Sequence, residues 1–248
     1  MGSRAKSPPR VYLPDPVPEH GVRELPPDQA HHLVHVLRLA AGDVLVAFDG
    51  RGREYDAVIT RIGKHAVTIR AAESRAVDRE SPVEVVLAQG ISSGERMDYT
   101  VQKAVELGVT AIQPLSTERS IVRLDEARSA KRVAHWQSVA IGACAQCGRN
   151  VVPEIRPTAA LNVWLASLGR GAVRLTLAPD ASVSLRQLER PAGGVVLLVG
   201  PEGGLSPRER ETAAAAGFSA IRLGPRVLRT ETAAVAALSA MQTLWGDF

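Results

Sequence analysis

Leu198-Val-Gly-Pro-Glu-Gly-Gly-Leu-Ser-Pro-Arg-Glu209 holds the end of an apolar strand, a glycine turn and the start of a helix. Val195 to Val199 is an unbroken run of valine and leucine, as a strand buried on both faces requires. Ser206, Pro207 and Glu209 then form a helix start: a serine N-cap, a proline at the first helical position, and a glutamate that completes a capping box. A buried strand passing through glycines into a helix is the unit of an α/β domain, where ligands gather at the carboxyl ends of strands. Gly200, Gly203 and Gly204 allow the backbone to bend sharply and approach a ligand with no side chain in between. The same residues also read as a purely structural strand-to-helix turn. Their spacing is not Gly-x-Gly-x-x-Gly, and no Gly-x-x-x-x-Gly-Lys-Ser/Thr run occurs, so neither a dinucleotide fingerprint nor a P-loop is present.

A second loop of the same kind follows. Leu223-Gly-Pro-Arg-Val-Leu-Arg-Thr-Glu-Thr-Ala233 leaves a short apolar strand, Ala220 to Leu223, and leads into an alanine-rich helix, Glu231 to Trp245, with Thr230 as its expected cap. Val227 and Leu228 offer an apolar wall, and Arg226 and Arg229 offer cations beside the first loop if the strands are neighbours; either arginine alone reads as a solvated loop residue. Further back, Val83 to Ala88, Val109 to Leu115 and Val173 to Ala178 read as strands. They alternate with helices through Met97 to Val105, Arg128 to Ala145 and Pro207 to Ala216, so the C-terminal part is α/β with a mostly parallel sheet.

The N-terminal part has another rhythm. Asp28 to Leu39 reads as a short helix capped by Asp28, with Leu33, Val36 and Leu37 on one side. Asp43 to Phe48, Glu54 to Ile62 and Ala66 to Ala71 read as strands separated by the turns Asp49 to Gly52 and Gly63-Lys64, an antiparallel meander forming a small barrel. The charged stretch Glu73 to Pro82 has no apolar period and sets the domain boundary near Glu80, giving domains 1–80 and 81–248.

Composition narrows the classes. With 45% hydrophobic and 23% charged residues over 248, the chain buries a real core, and no apolar run is long enough for a membrane span. The basic start, residues 1–10, is not followed by an apolar segment, so no secretory signal is expected and the cytoplasm is the expected compartment. The net charge of +4, mostly arginine, permits a nucleic-acid partner without requiring one. Cys144 and Cys147 form a single pair with no second pair to complete a zinc site, so two reduced structural thiols are expected and no metal.

The two loops, in this order, resemble the RsmE family of 16S ribosomal RNA (uracil-N3)-methyltransferases of the SPOUT superfamily. Further matching segments are Pro9 to Tyr12, Val36-Leu37-Arg38, Phe48-Asp49-Gly50, Gly94 to Met97, Gln102-Lys103, Glu106 to Val109, Glu118-Arg119, Cys144 to Asn150 and Val152-Pro153-Glu154. The resemblance spans nearly the whole chain; only Met1 to Pro8 reads as an added flexible tail.

The resemblance implies a C-terminal trefoil-knotted methyltransferase domain, a small N-terminal PUA-like β-barrel that binds RNA, and a homodimer joined through the C-terminal domain. It implies S-adenosyl-L-methionine (AdoMet) as cofactor. The pocket would be made by Leu177 and Ala178, then by Val199, Gly200, Pro201, Glu202, Gly203 and Gly204, and then by Leu223, Gly224, Pro225, Val227, Leu228 and Thr230. RNA contacts would come from Arg10, His32 and Arg38. Methylation at uracil N3 needs help in removing a proton. Glu202 and Glu231 are candidate bases and Arg229 a candidate stabiliser of the developing anion, although Glu202 also reads as a brace of the glycine loop. Two other functions stay open from the residues: a noncatalytic RNA-binding protein of ribosome assembly, and a SPOUT ribose 2′-O-methyltransferase. The partner in each case is 16S rRNA or the small ribosomal subunit, with no membrane.

Overall fold

The computed structural model describes residues 8–15, 20–64, 66–120 and 126–248. Residues 1–7 of the expected tail lie outside them. The chain forms two compact units: residues 1–80 together with 144–152, and residues 81–143 together with 153–248.

In the first unit β1 (Arg10–Tyr12) and β2 (Val22–Glu24) precede α1 (Pro27–His31), a π-helical turn (His32–Val36), β3 (Val44–Phe48), β4 (Arg53–Ile62), β5 (Val67–Ala71) and β6 (Arg75–Ala76). The sheet order is β1-β3-β4-β5-β2, with β6 on β4. The expected meander is β3-β4-β5, antiparallel throughout, whereas β1 joins β3 in parallel. Alternation fixes the register. Leu45 faces Ala57, Ala47 faces Tyr55 and Ile59 faces Ile69, and all of these side chains point into one core with Leu13, Leu25 and Leu33.

The helix of this unit differs from expectation. Pro26 occupies the N-cap position, and Asp28 lies inside the first turn and makes no cap hydrogen bond. From His32 the chain widens: the Leu37 amide donates to the His32 carbonyl at 3.0 Å, an i to i+5 bond. The extra residue per turn rotates Val36 outward to 59% exposure while Leu33 stays buried. Arg38, with φ of 57°, ends the segment.

Buried at the edge of this core, Glu54 (3% exposed) is held by three arginines. Oε2 accepts from Arg10 at 2.6 Å and Arg79 at 3.2 Å, and Oε1 accepts from Arg75 at 2.9 Å. The segment 144–152 joins the same network, since Arg10 also donates to Asn150 Oδ1, Asn150 donates to the Val77 carbonyl, and Arg149 pairs with Glu80. A boundary placed near Glu80 does not foresee that this later segment returns to the first unit.

The second unit contains β7 (Val85–Gly90), α2 (Glu95–Glu106), β8 (Ala111–Ser116), α3 (Glu126–Cys147), β9 (Glu154–Ile155), β10 (Ala159–Ala160), α4 (Leu161–Ser167), β11 (Val173–Leu177), β12 (Val195–Val199), α5 (Pro207–Ala215), β13 (Ser219–Ile221) and α6 (Thr230–Trp245). The last residues of α3 belong to the first unit. The sheet runs β10-β8-β7-β12-β11-β13 with β9 on β8, and every pairing among the described strands is parallel. All five residues of β12 are buried, which accounts for its unbroken apolar sequence. No helix among the described residues is long and apolar enough to cross a membrane, and no metal-binding cluster of histidine, cysteine and carboxylate occurs among them.

The Glu54 cluster makes a pH prediction. Burial would raise its pKa, but the hydrogen bonds from Arg10, Asn150, Arg79 and Arg75 outweigh it and bring the carboxyl down from 4.5 to about 2. A depressed carboxylate stabilises fully above pH 4.5 and loses that contribution as pH falls toward 2. Glu54→Gln is therefore expected to destabilise the first unit by about 3 kcal/mol at pH 7, a difference that closes by pH 2. Amide exchange in β3 to β5 reads it; an equal difference at pH 7 and pH 2.5 contradicts it.

Candidate active site

The site is built from the chain leaving β12 and the chain leaving β13. After Val199 the backbone turns within Gly200 to Gly204; the Gly204 amide bonds the Pro201 carbonyl at 2.8 Å, and Gly204 has φ of 66°. A Cβ on Gly200 would lie 2.9 Å from the backbone of Gly204 and Leu205, so only glycine closes the turn. The expected capping box is present. Ser206 Oγ accepts from the Glu209 amide at 3.1 Å, and the Glu209 carboxylate accepts from the Ser206 amide at 2.9 Å. Glu209 also receives the Glu118 amide at 2.8 Å, which ties the helix start to the segment after β8.

The second loop departs from expectation at its helix start. The N-cap position is Arg229, which makes no side-chain cap bond, and Thr230 is already helical. The Thr230 hydroxyl instead donates to the Gly200 carbonyl at 2.6 Å and accepts from Gln89 Nε2 at 2.9 Å. Gln89, at the end of β7 and fully buried, reaches the Gly90 carbonyl as well, at 3.0 Å. The two loops and the end of β7 are thus clasped around one hydroxyl.

Between the loops lies a cavity of about 630 Å³. Of the pocket residues expected from the sequence, Leu177, Ala178, Val199, Gly200, Pro201, Glu202, Gly203, Gly204, Leu223, Gly224, Val227, Leu228 and Thr230 line it; Pro225 does not. Val227, at 80% exposure, belongs to the mouth rather than to an apolar wall. Glu202, Arg229 and Glu231 all line the same cavity. The sequence reading gave no role to Arg96, Arg119, Arg210 or Arg222, which also line it. Arg96 and Arg119 lay in matching segments, the one signal that pointed to them; Arg210 and Arg222 lay in none.

Glu202 is braced. Its Oε1 accepts from the Ser93 amide at 2.8 Å, from Ser93 Oγ at 2.9 Å and from Arg96 at 3.0 Å. Burial pushes its pKa up, but the amide, hydroxyl and guanidinium donors prevail and hold it below the ordinary carboxylate value. It is an anion that resists protonation, and so a weak base. Glu202 Oε2 and Glu231 Oε2 are buried without a hydrogen-bond partner among the described residues. Both oxygens are shielded by the surrounding protein, while the two residues themselves line the cavity.

The RNA candidates lie in the first unit and are not brought together equally. Arg10 is committed to Glu54 and Asn150 and stacks over the Phe48 ring at 4.9 Å, so it is part of the scaffold. His32 and Arg38 are exposed.

A family model described as an RNA methyltransferase domain matches residues 79–242, and one described as an RNA methyltransferase PUA domain matches residues 25–71. The ribosomal RNA small subunit methyltransferase E of Buchnera aphidicola (subsp. Acyrthosiphon pisum) is 32% identical over 240 residues, 97% of this chain and 95% of that one. This chain belongs to the ribosomal RNA small subunit methyltransferase E family. The crystal structure of the Neisseria gonorrhoeae member, bound to S-adenosyl methionine, superposes with a TM-score of 0.90 at 43% identity, covering 97% of this chain and 99% of that one. A putative methyltransferase from Legionella pneumophila, in complex with the bound cofactor SAM, gives 0.94 at 41% identity, with 98% and 100% covered. The family assignment agrees with the α/β second unit and the PUA-like first unit.

The clash at Gly200 is testable. Gly200→Ala is expected to destabilise the second unit by about 1–3 kcal/mol and to raise amide exchange through 199–205. Gly224→Ala, where an added Cβ meets nothing within 4 Å, serves as the control and is expected to stay within about 0.5 kcal/mol of the parent. Equal effects at the two positions contradict the close approach at Gly200.

Proposed function

We propose that this chain is an AdoMet-dependent methyltransferase acting on N3 of a specific uridine in 16S rRNA of the small ribosomal subunit. The observation that carries the reading is the one cavity that both loops form, lined by Glu202 from the first and by Arg229 and Glu231 from the second. The names of the curated relatives and the cofactor held by the two solved structures point the same way.

The residues fit the cofactor. Glu202, on the cavity wall, offers a carboxylate to its ammonium, and the glycines of the first loop leave room for its body. When bound, AdoMet supplies an electrophilic methyl group. The chain must then deal with the proton on uracil N3. Glu231, which lines the cavity, serves as the base; Glu202 is braced by Ser93 and Arg96 and serves to hold the loop. Arg229, exposed on the cavity wall, stabilises the negative charge that develops on the uracil oxygens.

The division of labour follows the domain reading. Residues 1–80 serve as the PUA-like RNA-binding domain, with His32 and Arg38 as its contacts and Arg10 shaping it from within. Residues 81–248 serve as the methyltransferase domain, its pocket loops threaded as a trefoil knot. A homodimer through α6, with its alanine-rich face, and a cytoplasmic location beside the ribosome complete the reading.

The test is methyl transfer from labelled AdoMet to small subunits lacking the modification, followed by nucleoside mass spectrometry. Formation of 3-methyluridine is expected. Detection of 2′-O-methyluridine overturns the chemistry, and RNA binding without transfer overturns the enzyme. Glu231→Gln is expected to lower kcat by about 100-fold or more with AdoMet affinity retained; an equal loss in Glu202→Gln alone, with Glu231→Gln fully active, reverses the assignment of the base.

A further inference from the structure

Six arginines line the cavity, and they divide sharply by partner. Arg96 is paired with Glu202, Arg119 donates to the Gly203 carbonyl at 3.0 Å, and Arg210 pairs with Asp180 at 3.3 Å. The other three, Arg222, Arg226 and Arg229, sit on the loop between β13 and α6, are exposed, and have no side-chain hydrogen bond or ion pair among the described residues. Arg75 and Arg79, exposed in the first unit, by contrast find carboxylates. A loop that gathers three guanidiniums without an acid to neutralise them holds them apart from one another only against mutual repulsion. The carboxylates of the cavity, Glu202 and Glu231, are the reverse case: partly buried, each with an orphaned oxygen. Charge is therefore sorted, with acceptors within and donors on the lip.

We infer that Arg222 and Arg226 form a phosphate-binding lip that grips the backbone of the substrate strand on either side of the nucleotide entering the cavity, a site distinct from the N-terminal RNA contacts. The inference rests on the proposed function for the identity of the substrate. A bound cofactor presents a single carboxylate and cannot satisfy three cations, whereas a nucleic-acid strand presents one anion per nucleotide. Guanidinium forks match phosphate oxygens bidentately. Val227, exposed between Arg226 and Leu228, adds apolar surface at the same lip for a base or sugar, so the loop carries both kinds of contact that a splayed single strand uses. Arg229, nearest the helix start, is left to the developing charge on the base.

The test uses the full chain, a ten-nucleotide single-stranded oligoribonucleotide containing uridine, and AdoMet, with R222Q/R226Q and R222K/R226K beside the parent. For R222Q/R226Q, RNA affinity is expected to fall about tenfold or more near physiological salt, and the slope of log affinity against log salt to shrink by about 1.4 for two lost phosphate contacts. AdoMet affinity is expected to stay within about twofold. The lysine variant keeps the charge and is expected to restore most of the salt slope while losing the bidentate geometry, which separates a phosphate contact from a folding defect. An unchanged salt slope in R222Q/R226Q overturns the proposal. So does a parallel tenfold loss of AdoMet affinity, which would assign these arginines to the cofactor, or a shift in oligomeric state by sedimentation, which would assign them to a second copy of the chain. Failure of the parent to transfer methyl groups would defeat the proposed function while leaving the binding result readable.

Discussion

The second unit turns on the hydroxyl of Thr230. It sits where three chain segments meet, donating to the Gly200 carbonyl and accepting from the Gln89 amide, both in an interior that excludes water. A polar group buried there without partners would cost about 1–3 kcal/mol, so the segments are held to the spacing at which the hydroxyl, the Gly200 carbonyl and Gln89 Nε2 all pair. That spacing defines the cavity. The turn at Gly200 must be tight enough to bring its carbonyl inward, which removes any room for a Cβ, and the end of β7 must approach so closely that a Cβ on Gly90 would fall 2.6 Å from Pro201. Two glycines and one threonine are consequences of a single geometric demand.

The same demand explains the unequal starts of α5 and α6. Helix α5 is closed by a serine, a proline and a glutamate, and the glutamate has a further duty toward the Glu118 amide. Helix α6 begins without a side-chain cap because its N-cap residue is Arg229, whose side chain offers no acceptor, while the next hydroxyl, Thr230, is engaged by the first loop. A cap is usually worth about 1 kcal/mol. Its absence at α6 shows that local helix stability has yielded to the joint between the loops, while the well-buried face of the helix, with Ala234, Ala237, Leu238 and Met241, keeps it in place.

What the sequence disclosed, and what it withheld, follows from these facts. Strands such as Val195 to Val199 were legible because burial on both faces forces a continuous apolar run, and the α5 start was legible because its cap is local. Thr230 was misjudged as a cap because sequence proximity offers a helix N-terminus as its partner, whereas its real partner is 30 residues away. Asp28 is the same case, and a 3.6-residue period puts Val36 on one side with Leu33 and Leu37, a period that the π turn does not obey. The return of 144–152 to the first unit was invisible for another reason. Ion pairs between Arg149 and Glu80, and between Arg10 and Glu54, have no periodicity at all, and a charge run reads the same whether solvated or buried.

The contrast between Arg10 and Arg226 carries that point into the chemistry. Both arginines stand in segments shared with the family, Arg10 offered there as an RNA contact and Arg226 as a cation beside the first loop. In the fold, Arg10 is consumed by Glu54 and Asn150, and the buried carboxylate needs the ring of Arg10, Arg75 and Arg79, because a lone buried charge is far worse than a paired one. Arg226 has no such tie among the described residues and stands at the mouth of the cavity. An arginine's meaning is thus decided by whether a carboxylate reaches it first. Around Glu54 the acid reaches them, and the result is architecture; on the loop before α6 none does, and the charge remains available to a partner from outside the chain.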